Sequence, residues 1–504
     1  MISSHYASDP IFTKMPTWLA ILLFLCVALL FAVELAFVSA ISGWWLDDLT
    51  SLWASERTLP FTVAFRERIL PDSNPPLYFS LLYFVRQIIS DDGVAVFVLN
   101  VGAIIAASLA VYIPSRRLGL NGLAIAGIAA FVLSGPVLYF ATEGRSYVMA
   151  LSVVFVTSWY ASLAITGFLE QLSLTRSIVL GCLGALTHVY AALFCGSLAA
   201  AFVALAVFSG RKERLKPGLG LGLSAAAVFG IWLSIAFDSV KNIDWIRFTV
   251  RSVLDAALSV KELAFGTNLQ VILIIALFAF GLLNVRTRSL FTVFCITLLL
   301  FTLLPVITSF VRPIITSRYW LIGAAALPVL MCFAARFWIL EGFAALSRKS
   351  LIAGVAAVCF LFTSSALGFA NARHYTFLKP IWRGADIVRP FLSRCPAASV
   401  HVYYGNSSKP YEAWESGIYG FSKLTRASPT LFADPQEDST SHVPAEASSC
   451  PVLGWAEHTG GLKGLNDSEI LQLMKIDASP DDVEFVRHHT GFVILKRRQY
   501  APAS

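Results

Sequence analysis

Residues 72–92 read DSNPPLYFSLLYFVRQIISDD, and the placement of this stretch decides the topology of everything after it. Its apolar run, Leu77–Ile89, has 13 residues between Asn74-Pro75-Pro76 and Ser90-Asp91-Asp92. A helix rises ~1.5 Å per residue and the hydrocarbon core of a bilayer is ~30 Å thick, so the run is too short to span. Two prolines suit the first turn of a helix, where no backbone N–H is needed. The stretch is expected to be an interfacial helix on the outer surface.

On both sides of it the chain is built from longer apolar runs. Of 504 residues 57% are hydrophobic and 14% charged, and mean hydropathy is +0.71. Soluble domains carry about 25% charged residues, so a soluble enzyme with one anchor is excluded. A disordered chain and a disulfide-stapled secreted domain are excluded as well. Runs near the ~20 residues that cross a bilayer fall at about 16–41, 94–113, 121–141, 147–167, 177–194, 195–209, 218–237, 269–285, 290–309, 319–336 and 351–370. That makes eleven spans. The first exceeds the ~7–15-residue core of a signal peptide and has only Lys14 before it, so it is read as a retained helix. The pair 177–194 and 195–209 has almost no loop between its members.

With the N-terminus inside and 77–89 not spanning, the inner loops hold Arg116/Arg117, Arg176, Arg211/Lys212/Arg214/Lys216, Arg286/Arg288 and Arg348/Lys349. These are the clusters the positive-inside rule requires. The outer loops hold acids, among them Asp47, Asp48, Asp72, Asp91, Asp92 and Glu143. Counting 77–89 as a span would invert every later loop. The net charge of +7 belongs to this pattern: residues 1–370 hold 24 Lys/Arg against 17 Asp/Glu, and residues 371–504 hold 14 against 14. It sets orientation and gives no sign of nucleic-acid binding.

Residues 371–504 contain no run of membrane length and are expected to form a small extracytoplasmic α/β domain. Ser399–Tyr404, Val452–Ala456, Val483–Arg487 and Phe492–Leu495 read as strands. Asn466 followed by Glu469 has the spacing of a helix cap with a carboxylate at its third position. Cys395 and Cys450 either pair or stay as two buried thiols. The other six cysteines sit inside apolar runs as small hydrophobes. The fold class is an all-α polytopic membrane protein, residues 1–370, with interfacial helices in a first outer loop at 43–93 and the α/β domain after it.

Unusual residues gather at the outer ends of the spans. Gly43-Trp44-Trp45-Leu46-Asp47-Asp48 is either an aromatic belt over a solvated helix end or a carboxylate held at the membrane surface as a general base. Asp72 and Asn74 precede the two prolines and point into the same outer space, although a structural device needs no function there. Glu143-Gly144-Arg145-Ser146-Tyr147 puts charge close to hydrocarbon, either as a self-neutralising pair or as a site. His188, in Thr187-His188-Val189-Tyr190, is ordinarily hydrogen-bonded packing. Glu34 snorkels, faces a polar cavity or is neutral. Arg318, before Tyr319 and Trp320, and Arg312 are either snorkelling side chains or forked donors for phosphate. No Gly-x-x-x-x-Gly-Lys-Ser/Thr, Gly-x-Gly-x-x-Gly after a strand, Cys/His metal spacing or Gly-x-Ser-x-Gly occurs. An enzyme of this kind would use a pre-activated substrate.

These pieces, in this order, resemble the GT-C glycosyltransferases that use polyprenyl-phosphate sugars. The similar branch holds the lipid A aminoarabinose transferase, the protein O-mannosyltransferases and the rhizobial lipopolysaccharide galacturonosyltransferases, the last group resembling the chain most. The resemblance covers about residues 16–390. Asp47 matches the aspartate of an Asp-Glu pair, with Asp48 in place of the glutamate. Asn74-Pro75-Pro76-Leu77-Tyr78 matches a His-Pro-Pro-Leu-Tyr element, with asparagine for histidine. Glu143, Arg145 and Tyr147 match Glu-x-Arg-x-Tyr, Thr187–Tyr190 a Thr-His-Tyr-like element, Arg318-Tyr319 an Arg-Tyr, and Trp382-Arg383 a Trp-Arg after the last helix.

The resemblance implies an inverting transfer on the outer face of a bacterial inner membrane. The donor would be a sugar on a polyprenyl phosphate. The acceptor would be a hydroxyl of a lipid-linked glycan of the lipopolysaccharide type, a polysaccharide or a protein. Asp47 would act as base, Arg145 and Arg318 would hold the phosphate, and Glu143 and Asp48 would serve the acceptor. Asp72, Asn74, Tyr147, His188 and Tyr319 would line the cavity. No cofactor is demanded, although acidic outer loops could hold a divalent metal. A glycolipid transporter or flippase is the alternative, but no pseudo-symmetric halves are visible. A scaffold that binds through its outer domain is a third reading.

Overall fold

The structure is a computed structural model. It describes residues 16–41, 43–169, 172–209, 215–241, 248–310, 313–316, 318–344, 347–377, 384–394, 401–404, 419–420, 423–424, 451–457, 464–474, 476–488 and 491–497. Arg312, Trp382, Arg383, Cys395 and Cys450 lie outside the described residues. The chain divides into two compact units, one of Met1–Ile41 with Arg57–Phe377, the other of Ser42–Glu56 with Leu378–Ser504.

The first unit is helical. Its helices are α1 (Thr17–Ile41), α3 (Leu77–Ile88), α4 (Asp92–Arg117), α5 (Asn121–Val132), α6 (Gly135–Phe140), α7 (Tyr147–Ile165), α8 (Leu174–Thr187), α9 (Val189–Ser209), α10 (Leu215–Lys241), α11 (Val250–Val260), α12 (Asn268–Leu283), α13 (Arg288–Ser309), α14 (Ala326–Ala344) and α15 (Arg348–Phe377); α2 (Leu46–Ala54) belongs to the other unit. Among the described residues seven helices are long and apolar enough to cross a membrane, or eight if α11 and α12, bent by 84°, are taken as one broken span. The chain is a multi-pass membrane protein.

The eleven expected runs are helical with changed ends, but among the described residues only seven or eight are long and apolar enough to cross as spans, the pieces in 16–41, 121–141 and 177–194 being shorter. Run 121–141 is broken into α5 and α6 at Leu133-Ser134, where Pro136 starts the second piece. Run 319–336 begins as a 3-10 turn, Tyr319–Ala325, and continues to Ala344 as α14. The last helix runs on past 370 to Phe377. The boundary expected at 194/195 is displaced: the turn is a single residue, His188, in extended conformation between α8 and α9. The two helices fold back as a hairpin, so the Cys195 thiol reaches the Leu180 carbonyl at 3.8 Å. Small residues permit this tight return, with Gly184 lying against Ala191 and Cys195.

The centre of the unit is α7 and α14, whose faces are almost wholly buried, whereas the helices around them expose leucine, isoleucine and phenylalanine. Phe155 of α7 stacks on Phe131 of α5, with centroids 4.2 Å apart. Trp159 packs edge-on to Phe333 of α14 and donates its indole N–H to Ser115 Oγ at 2.9 Å. Gly127 clears the space for that ring, since a Cβ there would lie 2.5 Å from it. A buried tryptophan keeps its N–H satisfied in this way, and the ring burial supplies the packing.

The short run 77–89 forms α3, 12 residues and about 18 Å long. Tyr78, Phe79, Leu82, Tyr83 and Arg86 are buried, while Leu81, Phe84 and Ile88 form an exposed apolar stripe. The Tyr83 hydroxyl donates to the Leu59 carbonyl at 2.7 Å, and Arg86 Nε meets Asp92 Oδ1 at 2.8 Å. Asp92 is the first residue of α4, so this ion pair fixes α3 against the head of the next helix.

The second unit is a four-stranded sheet with helices on both faces. Its strands are β1 (His401–Tyr404), β2 (Val452–Glu457), β3 (Val483–Arg487) and β4 (Gly491–Lys496), in the order β1-β2-β4-β3. Only the β1–β2 pairing is parallel. All four expected strands are present in their described parts. Alternation divides β4: Val493 and Leu495 join Leu49 of α2 and Ala385 and Val388 of α16 (Gly384–Val388), whereas Phe492 and Ile494 join Ile470 and Leu471 of α17 (Asp467–Leu473). The cap read at Asn466 is made, with reciprocal hydrogen bonds to Glu469. Residues 42–56, expected with the first outer loop of the membrane part, pack in this unit because Leu49 and Trp44 complete its core.

Candidate functional site

In the first unit five of the expected side chains meet around the α8–α9 turn. Tyr147, the first residue of α7, lies 5.4 Å from His188 and 6.2 Å from Tyr319 between ring centroids. His188 lies edge-on to Tyr319 at 5.2 Å. Tyr190, which the sequence reading did not assign, packs against Tyr319 at 4.9 Å and donates its hydroxyl to the Ile314 carbonyl at 3.0 Å. The Arg318 guanidinium sits 5.7 Å over the Tyr147 ring. Arg145 sits 5.8 Å over Phe79 of α3, and its charge also reaches His188. Cations over aromatic faces keep their charge while shedding water. Arg145 and Arg318 are half-buried.

The loop that carries Glu143 and Arg145 is held from α4. Asn100 Nδ2 donates to the carbonyls of Ala141 at 3.0 Å and Glu143 at 2.8 Å, and Asn100 is 1% exposed. Glu143 is buried too. Asn100 and Phe79 were not legible as site residues. One is a polar residue inside an apolar run and the other an ordinary core aromatic, and only their neighbours give them roles. Asn100 carried a usable signal, since a polar amide within a span demands partners.

His188 sits in the connector, outside both helices. Burial, and then the Arg145 charge, hold its imidazole below the usual histidine range, so it is neutral. Its Nδ1 accepts the Tyr190 backbone N–H at 3.1 Å. Asp72 and Asn74 form a turn of their own: Asp72 Oδ1 accepts the Asn74 backbone N–H at 2.8 Å, which sets up Pro75-Pro76 at the head of α3.

In the second unit Asp47 and Asp48 occupy the first turn of α2, where carboxylates favour the helix dipole. Asp48 is 2% exposed and accepts the Trp45 backbone N–H at 3.4 Å, a capping duty. Asp47 is half-exposed. Among the described residues no group of three or more His, Cys, Asp or Glu side chains is arranged to hold a metal.

The full-length architecture matches solved structures of ArnT from Cupriavidus metallidurans. The structure bound to undecaprenyl phosphate superposes with a TM-score of 0.55 at 12% identity, over 95% of this chain and 98% of that one. The apo structure superposes with a TM-score of 0.51 at 14% identity, over 94% and 97%. The fold is the GT-C fold. No family model matches the sequence, and no curated protein matches it. At this identity the GT-C likeness is one of architecture alone.

Proposed function

We propose that this protein is a GT-C glycosyltransferase that moves a sugar from a polyprenyl-phosphate donor to a hydroxyl on the outer face of the membrane. The acceptor class is a lipid-linked glycan of the lipopolysaccharide type or a protein. The observation that carries the reading is the approach of two guanidinium groups to the Tyr147–His188–Tyr319 cluster, Arg318 over the Tyr147 ring and Arg145 within electrostatic reach of His188, since such a pair suits a phosphate ester. A GT-C neighbour that binds undecaprenyl phosphate supports the same donor class.

In the reaction the acceptor oxygen attacks the anomeric carbon and a carboxylate takes its proton. The bond from that carbon to the phosphate oxygen breaks, and the lipid phosphate leaves with the electron pair. Arg145 and Arg318 stabilise the charge that develops there, an effect typically of ~3–4 kcal/mol per donor. Attack opposite the leaving group inverts the anomeric centre. The family resemblance assigns the base to Asp47 and the acceptor to Asp48 and Glu143. The Lys/Arg clusters assigned to the inner loops support an extracytoplasmic side for this chemistry.

The test is mass spectrometry of envelope glycolipids from cells with and without the gene, followed by transfer assays on purified protein. Loss of one sugar mass on deletion, and a hundredfold or greater fall in turnover for Arg145→Gln and for Asp47→Asn, are expected. Unchanged glycolipids together with wild-type turnover in both variants would overturn the reading.

A further inference from the structure

The α8–α9 turn contains a hydrogen-bond donor that has no partner among the described residues. His188 is the cap of α9: its carbonyl accepts from Ala191 and Ala192, and its Nδ1 accepts from the Tyr190 backbone N–H. A ring nitrogen that accepts from an amide carries no proton, so in the neutral imidazole the proton is on Nε2. Nε2 is shielded from water and has no hydrogen-bond partner among the described residues, and His188 as a whole is 1% exposed. Native interiors rarely leave such a group unsatisfied, because a buried unpaired donor is costly.

Three further features give the place one electrostatic sign. The 21-residue α9 begins at the next residue, and a helix start carries partial positive charge. The Arg145 charge, after burial, holds the imidazole in its neutral form. Arg318 lies over Tyr147, whose ring is 5.4 Å from His188. An orphaned N–H at a helix start, within reach of the Arg145 charge and in the cluster that Arg318 borders, calls for an anionic oxygen.

We propose that His188 donates its Nε2–H to an oxygen of the phosphate group of the lipid substrate, as a neutral third donor beside Arg145 and Arg318. The proposal rests on the donor class argued above. A neutral donor adds a directed hydrogen bond without a third positive charge. It therefore holds the phosphate in one orientation while leaving lipid release feasible. The backbone cap at Nδ1 fixes the ring and keeps the proton on the ligand side.

Two substitutions separate the two nitrogens. His188→Asn can keep the cap through its side-chain carbonyl but has no group at the Nε2 position. His188→Gln reaches that position with an amide N–H and gives up the cap. Binding of farnesyl phosphate, farnesol and inorganic phosphate is measured on the full-length protein in nanodiscs. The wild type is expected to prefer farnesyl phosphate to farnesol. His188→Asn is expected to lose on the order of tenfold for farnesyl phosphate with farnesol unchanged, the size of one hydrogen bond to a charged group. His188→Gln is expected to retain most of the preference, and it carries the test if the asparagine variant does not fold.

Farnesyl phosphate affinity in His188→Asn within twofold of wild type overturns the proposal, as does an equal loss for farnesol, which marks a purely structural residue. Loss of the preference in His188→Gln overturns it too. If Arg145→Gln abolishes the preference while His188→Asn does not, only the histidine assignment falls. A wild type with no preference for the phosphate ester removes the donor class as well. Inorganic phosphate binding as tightly as farnesyl phosphate overturns the lipid source.

Discussion

Breaking the Arg86–Asp92 pair separates its structural role from its charge. Arg86 Nε and Asp92 Oδ1 are 2.8 Å apart with side chains 1% and 4% exposed. At that separation and an effective dielectric of about 20, the attraction is roughly 6 kcal/mol before desolvation is subtracted. Removing desolvation leaves a small net value, but removing one partner strands the other charge in the interior, at about 3–5 kcal/mol. Arg86→Met and Asp92→Leu are each expected to destabilise by that amount. The double variant is expected to recover most of it, because no buried charge remains. Denaturant unfolding of the purified protein in bicelles gives the three values and the coupling between them. The single variants should also lower transfer activity, because α3 carries Phe79 beneath Arg145. Single variants within about 1 kcal/mol of wild type, or a double variant no better than the worse single, would refute the argument.

Asn100→Leu removes two hydrogen bonds that hold the 141–146 loop, and should cost about 1–3 kcal/mol with a larger fall in turnover than in stability, read by parallel unfolding and transfer assays. Gly135→Ala would put a Cβ 2.1 Å from the Leu263 carbonyl oxygen and 2.8 Å from the Gly368 Cα, both backbone atoms, so the helices must separate at a cost of about 1–3 kcal/mol or more. Gly102→Ala, in the middle of α4 with nothing within 4 Å, should instead stabilise by about 0.5–1 kcal/mol in the same unfolding measurement. Trp455→Phe removes the indole donor that lies 2.8 Å from the buried Glu457 carboxylate, and should loosen the small sheet by about 1–3 kcal/mol, seen as faster proteolysis of the C-terminal unit in the intact protein.

Much of this molecule is written in local pattern. The spans are legible because a chain crossing a bilayer needs a long apolar run, and α3 because its run is too short and opens on two prolines. The strands of the small unit and the Asn466 cap are legible because their signals are local, short runs rich in β-branched and aromatic residues in one case and a three-residue spacing in the other. The turn between α8 and α9 was misplaced by six residues for the opposite reason. Hydropathy is continuous through His188-Val189-Tyr190, and a one-residue connector leaves no polar gap to read.

By itself, therefore, the sequence determined that this is a multi-pass helical membrane protein with a small α/β unit, and it named Arg145, Tyr147, His188, Arg318 and Tyr319 from their motifs. Only the tertiary structure decided that these five share one cluster, that Asn100 and Phe79 support it, and that Asp48 caps a helix. It also decided that residues 42–56 complete the core of the small unit. The reason is physical: composition and period are properties of a segment, whereas a site depends on contacts between segments far apart in the chain, and side-chain packing alone sets those contacts.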